Sequence, residues 1–196
     1  DVNASSGTFA SWNWKANGAG SANTDGSISS TVSANTTAGF SIVKFTGTAS
    51  NNTVGHGLST APRVIIAKNL GTTQNWFVYH QDIQSSNADG YINLNTTDAT
   101  SDSSTVWQAT APTSSVFSVG TSVSAHDYIA YCFAEKKGFS KFGSYTGNGN
   151  ADGTFVYTGF KPAFVLQKRS SSTESWQITD SVRDKDVSPN FARLMP

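Results

Sequence analysis

Runs of apolar and β-branched residues recur at short intervals along the chain: Phe40–Phe45, Arg63–Lys68, Trp76–Tyr79, Tyr91–Leu94, Ser115–Val119 and Ala163–Lys168. Each is of strand length, and clusters of Gly, Asn, Asp, Ser and Thr separate one from the next. No apolar stripe at i, i+3, i+4 is sustained over the roughly ten residues of a packed helix. The pattern predicts an all-β chain with helix nearly absent. Three connections share one signature, Asn23-Thr24-Asp25-Gly26, Asn87-Ala88-Asp89-Gly90 and Asn150-Ala151-Asp152-Gly153. Asp-Gly supplies the positive φ of tight turns and the leading Asn can close an Asx-turn, so all three read as hairpin tips or loops entering strands.

The strand pattern itself repeats. Phe45-Thr46-Gly47 matches Tyr145-Thr146-Gly147, Pro62 with Arg63–Lys68 matches Pro162 with Ala163–Lys168, and Trp76 matches Trp176, each pair 100 positions apart. Upstream, Trp12-Asn13-Trp14-Lys15 resembles Tyr131-Cys132-Phe133-Ala134, and Gly39-Phe40-Ser41 resembles Gly138-Phe139-Ser140. The stretch from Ala16 to Ala38 is then an extra polar insertion in the first copy. This spacing is too long for a solenoid and fits tandem or interlocked sandwich units. The expected organisation is a first β unit over 1–127, a second, incomplete unit over 128–180 packed with it, and an extended tail over 181–196. The expected fold is an antiparallel β-sandwich of jelly-roll type with an internal two-unit repeat.

Composition narrows the partners. Charged residues make up 13% of the chain, about half the usual share, and 13 basic residues balance 13 acidic ones. A polar but nearly uncharged surface holds neither a phosphate backbone nor an anionic membrane. No run reaches the roughly 18 apolar residues of a membrane span. The first residues resemble no signal peptide and lack Met, so the chain reads as a piece of something longer. Its single cysteine, Cys132, lies in the apolar run Tyr128–Ala134 and reads as a small buried hydrophobe.

Three segments carry a family resemblance: Thr110–Gly120, Tyr128–Glu135 and Gly138–Gly149. Val54-Gly55-His56-Gly57-Leu58 with Ala61-Pro62, and Trp12–Gly18, add to it. Together they resemble a domain common in tail-fibre and other virion proteins of marine bacteriophages, over almost the whole chain to about Asp180. The resemblance implies a concanavalin-like or laminin-G-like jelly roll and a place on the virion surface. It carries over no catalytic or ligand residue.

The chemistry-bearing residues offer little catalysis. His56, His80 and His126 stand at no ligand spacing, and no Gly-x-Ser-x-Gly or His-Glu-x-x-His pattern occurs. His56, between two glycines, reads as a turn residue facing its own loop. Glycoside hydrolysis needs a carboxylate pair in a cleft, whereas Glu135 and Glu174 sit beside turns and Asp180, Asp184 and Asp186 alternate with basic residues in a solvated run. Asn148–Gly153 half-matches a calcium loop but lacks its first Asp and its closing Glu, so it reads as a turn. No metal or cofactor is expected.

Tryptophan is the remaining signal, because sugar-binding sandwiches stack pyranose rings on exposed aromatic faces. Trp76 and Trp176 lie inside strand patterns and read as core. Trp107 lies in the polar segment Ser101–Thr110 and, with Tyr91, Asn93 and Asn95, forms the expected glycan or protein contact. The expectation is a non-enzymatic structural or adhesion component of a bacteriophage tail fibre or related appendage. Its expected partners are a host-surface glycan, other virion proteins and copies of itself, as a trimer for example. A purely structural capsid decoration or fibre spacer, and a secreted bacterial carbohydrate-binding module, are the alternatives.

Overall fold

A computed structural model describes residues 4–9, 11–84 and 89–181. Strands make up 34% of the described residues and helix 4%, so the fold is all-β. In chain order the strands are β1 (Ser21–Asn23), β2 (Ser30–Asn35), β3 (Phe40–Thr46), β4 (Asn52–Gly55), β5 (Val64–Asn69), β6 (Phe77–His80), β7 (Gly90–Asn93), β8 (Ser101–Asp102), β9 (Val116–Val119), β10 (Asp127–Phe133), β11 (Phe164–Gln167) and β12 (Gln177–Asp180). A single helical turn, α1 (Ser104–Trp107), lies between β8 and β9. Eight strands form one antiparallel sheet in the order β1-β2-β3-β10-β5-β6-β7-β8, while β4 pairs with β9 and β11 with β12.

Burial explains why β5 reads Val-Ile-Ile-Ala rather than alternating apolar with polar, because both faces of this sheet are covered. On one face Ile65 and Ala67 join Val43, Phe45, Phe77, Tyr79, Tyr128 and Ala130 under β4, β9 and α1. On the other, Val64, Val78 and Ile92 lie with Ile66, Leu94 and Phe133 under Phe142 and Trp176. The result is an antiparallel sandwich of unequal layers, with the β11–β12 region lying over the second face. A polar network pins the first layer: the Tyr128 hydroxyl donates to Gln74 Oε1 at 2.6 Å and accepts from Asn69 Nδ2 at 2.8 Å.

The internal repeat is present as structure. β5 pairs β6 as Val64↔His80 through Ala67↔Phe77, and β11 pairs β12 as Phe164↔Asp180 through Gln167↔Gln177. Adding 100 to every number in the first ladder gives the second. The copies differ in what surrounds them. β5 is flanked by β10 and β6 and buried, whereas Val165 and Leu166 of β11 are exposed.

Several expectations need correction. The stretch from Ala16 to Ala38 contains β1 and β2, and β2 is an inner strand of the large sheet. It escapes a hydrophobicity reading because small hydroxyls do the burying: the Ser30 side chain donates to Gly55 O and the Ser33 side chain to Gly18 O. The boundary drawn after residue 127 falls at β10, which pairs along its length with β3 and β5 and completes the first sheet. Of the three Asn-x-Asp-Gly turns, the first is an Asx-turn on Asn23, whose Oδ1 accepts from Asp25 N–H. In the third, Asn148 closes the turn by accepting from Asn150 N–H. The second turn lies partly, and the tail beyond Ser181 wholly, outside the described residues.

Candidate functional site

The four residues expected to meet a ligand do not form one site. Trp107 is 1% exposed. Ser103 caps α1 by accepting from Thr105 N–H, and the single turn lays Val106 and Trp107 into the core, with the indole edge-on to Tyr79 at 6.0 Å and Phe117 at 6.5 Å. Its face is therefore closed to a sugar ring. Tyr91 is half-buried and stands edge-on to Phe77 at 5.8 Å. Asn95 accepts from Trp76 N–H at 2.9 Å and donates to Asn75 Oδ1 at 3.0 Å, which uses both ends of its amide within its own hairpin. The Asn93 carbonyl accepts from the Trp176 indole at 3.0 Å.

That last bond belongs to a latch between the two copies of the repeat. Glu174 N–H donates to Thr97 O at 2.9 Å, Thr100 N–H to Ser170 O at 2.9 Å, and the Lys168 ammonium to Thr97 O at 3.3 Å. Trp176 shares a cluster with the second face of the large sheet, while its counterpart Trp76 is half-buried with Lys68 5.9 Å above its ring. The region after β7 therefore holds the second copy in place.

The titratable groups are similarly engaged in structure. His56 is fully buried; Nδ1 accepts from Leu58 N–H and Nε2 donates to Thr113 O, and burial pulls its pKa below the usual value. Burial does the same to His80, whose Nδ1 accepts from Asp82 N–H. Burial raises the Glu135 carboxyl, but the Lys141 ammonium at 2.9 Å and the Phe142 amide outweigh it and hold the group ionised. Glu174 Oε1 accepts from Ser175 N–H. Cys132 is buried and its thiol is pushed up to about 12 by desolvation. A polar depression of about 180 Å³ beside β1 and β2, lined in part by Asn17, Asn23 and Ser33, is smaller than the roughly 300 Å³ at which ligand pockets begin.

Exposed aromatic surface is the feature left over, and it is concentrated in the second copy. Phe155 is 85% and Tyr157 77% exposed, and Phe139, Tyr145 and Val156 are also open to solvent. Val165 and Leu166 extend this surface onto β11. Hydroxyl and amide groups lie along the same stretch: Thr154 donates to Thr146 O, and Asn148 Nδ2 to Asp152 O. Sequence reasoning did not single it out, because an apolar triplet such as Phe155-Val156-Tyr157 carries no signal that separates an exposed run from a buried one. Among the described residues no strand pairs with this stretch.

A family model described as a domain of unknown function (DUF7483) matches residues 1–196. The chain belongs to that family. No curated protein and no solved structure matches it. In this DUF7483 chain the described residues hold no cluster of His, Cys, Asp and Glu suited to a metal ion, and no helix long and apolar enough to cross a membrane. The arrangement that the DUF7483 chain does present is a stretch of exposed rings among hydroxyls and amides, carried by a latched, half-paired copy of its own core hairpin.

Proposed function

We propose that this domain is a non-enzymatic adhesion module on the surface of a bacteriophage particle, in a tail fibre or related appendage, and that it engages a host-surface glycan. The observation that carries the reading is the exposed aromatic stretch from Tyr145 to Tyr157. Large rings open to water are costly unless a partner covers them, and rings bordered by Asn and Thr offer a sugar both a stacking face and hydroxyl partners. The location rests on the resemblance of Tyr128–Glu135 and Gly138–Gly149 to virion domains. Balanced charge fits a neutral glycan better than a nucleic acid or an anionic lipid.

A glycan-array screen of the domain tests this, followed by titration of any hit against Phe155→Ala and Tyr157→Ala. Binding that falls about tenfold or more in both variants supports the reading, since stacking contacts carry about 1–3 kcal/mol. Binding that survives both variants places the contact elsewhere. A silent array together with association into multimers favours the second reading, a structural spacer or decoration whose apolar face packs against copies of itself or other virion proteins.

A further inference from the structure

In the first copy the hairpin β5–β6 is not an edge. β10 lies between β3 and β5 and bonds both, running Ala130↔Ala67, Tyr131↔Ile66, Cys132↔Ile65, Phe133↔Val64 along β5. In the second copy β11–β12 repeats that hairpin in the same register, yet among the described residues no ladder occupies the other edge of β11. The counterpart of β3 has no ladder of its own either. Residues 141–148 run without a strand partner, and Tyr145 reaches β11 through its side chain alone, donating to Gln167 Oε1 at 3.2 Å. Removing one central strand from the first copy would leave this same pair of open edges.

The chain carries a segment with the right chemistry in the right place. Trp12 and Trp14 repeat the spacing of Tyr131 and Phe133, with Ser11 at the position of Ala130. Residues just after them are anchored on β2: Asn35 Nδ2 donates to Lys15 O, and Asn17 N–H to the Ser33 hydroxyl. From that anchor both tryptophan rings rest on the first residue of β11, with Trp12 6.1 Å and Trp14 5.8 Å from Phe164. Trp14 also stands against Phe133, its own counterpart in the repeat, at 5.9 Å.

We propose that Ser11–Trp14 is a closing strand for the second copy, adding to the free edge of β11 as Ser11↔Gln167, Trp12↔Leu166, Asn13↔Val165 and Trp14↔Phe164. The segment is poised at the mouth of its slot, held by residues 15–17 on one side and by the ring contacts to Phe164 on the other. Closure replaces solvent on the backbone groups of β11 with a ladder and lays the tryptophans along its side chains, which removes an open sheet edge from the molecule. The inference is independent of the glycan reading, because it concerns the β11 edge rather than Phe155 and Tyr157.

Cysteine pairs test the register. Asn13→Cys with Val165→Cys places two thiols directly opposite, whereas Asn13→Cys with Leu166→Cys puts them on opposite faces of the ladder. Cys132 is buried and stays out of the reaction. On mild oxidation in dilute solution the first pair should form an intrachain disulfide at least about tenfold faster than the second, as expected where a one-residue slip reverses the face. Equal yields, no cross-link, or a cross-link only between chains would overturn the proposal; the last outcome would assign the strand to a second copy. Hydrogen exchange gives an independent readout. Trp12→Ala should lower amide protection in β11 by about tenfold or more while β5 amides stay unchanged, and unchanged protection in β11 would equally overturn it.

Discussion

His56 shows how much structure a single residue carries here. Its ring ties the loop after β4 to the segment before β9 from a fully buried position, and it does so as the neutral imidazole, because Nδ1 must accept from Leu58 N–H. Burial lowers its pKa in the folded state, and likewise that of His80. Both contribute stability that is fully present above their ordinary value of 6.5 and is lost as pH falls through their depressed folded values. Asp127 and Glu135, whose folded values are also depressed, lose their contribution only further down, below ordinary values of 3.8 and 4.5. Denaturant melts should therefore show stability falling as pH drops below 6.5, and a His56→Gln, His80→Gln double variant, although less stable at neutral pH, should show a flatter profile there. A double variant with the same slope across that window would show that other groups govern it.

Trp107 and Tyr128 make opposite cases at the same scale. The Trp107 indole N–H finds no hydrogen-bond partner among the described residues, so its value is packing. Trp107→Ala should cost about 3–5 kcal/mol in equilibrium unfolding, and Trp107→Phe distinctly less, because it removes an unsatisfied donor along with part of the volume. Tyr128→Phe removes almost no volume but deletes the hydroxyl that donates to Gln74 Oε1 and accepts from Asn69 Nδ2 and the Ser124 N–H, for an expected loss of about 1–3 kcal/mol. A Tyr128→Phe variant as stable as the parent would mean that water replaces the hydroxyl in that network.

Among the elements, the two hairpins offer a controlled comparison: equal register, unequal surroundings. Ile65 in β5 is fully buried and its counterpart Val165 in β11 is 39% exposed. Ile65→Ala should cost about 2–5 kcal/mol, while Val165→Ala should stay within about 0.5 kcal/mol; similar losses at both positions would mean that a partner packs against the Val165 side chain in solution. The strands that sequence reasoning finds are those where both faces demand large apolar groups, as in Val64–Ala67 and Tyr128–Phe133. β2 is missed because Ser30 and Ser33 reach the interior by bonding carbonyls, which no hydrophobic pattern records. α1 is missed because one turn is too short to show a period. The expected contact residues fail for a related reason: polar neighbours at Ser101–Thr105 say nothing about where Trp107 points once Ser103 starts a helical turn. The exposed rings at 155–157 are equally invisible, since an apolar triplet reads the same in sequence whether or not another strand covers it.

For the whole molecule, the imbalance between the copies matters most. The first is closed on both faces, while the second presents Phe139, Tyr145, Phe155 and Tyr157 to solvent in a chain whose net charge is +0. With no net repulsion between copies and an apolar face uncovered, the chain should associate at micromolar to millimolar concentration. Light scattering against concentration reads this directly, and Phe155→Ser with Tyr157→Ser should return the protein toward monomer. A parent chain that is monomeric throughout that range would show that the face does not drive self-association.

The central position of β10 also sets an order of events during synthesis. Thr46 and Asp127, whose side chains bond across the β3–β10 ladder, are 81 residues apart in the chain. β3 and β5 are both made long before the strand that joins them, so on the ribosome each waits with an unpaired apolar edge until residue 133 has emerged. Such distant pairings place the domain among slow folders, in the range of milliseconds to seconds or beyond. The nascent chain is open to wrong strand partners throughout that interval.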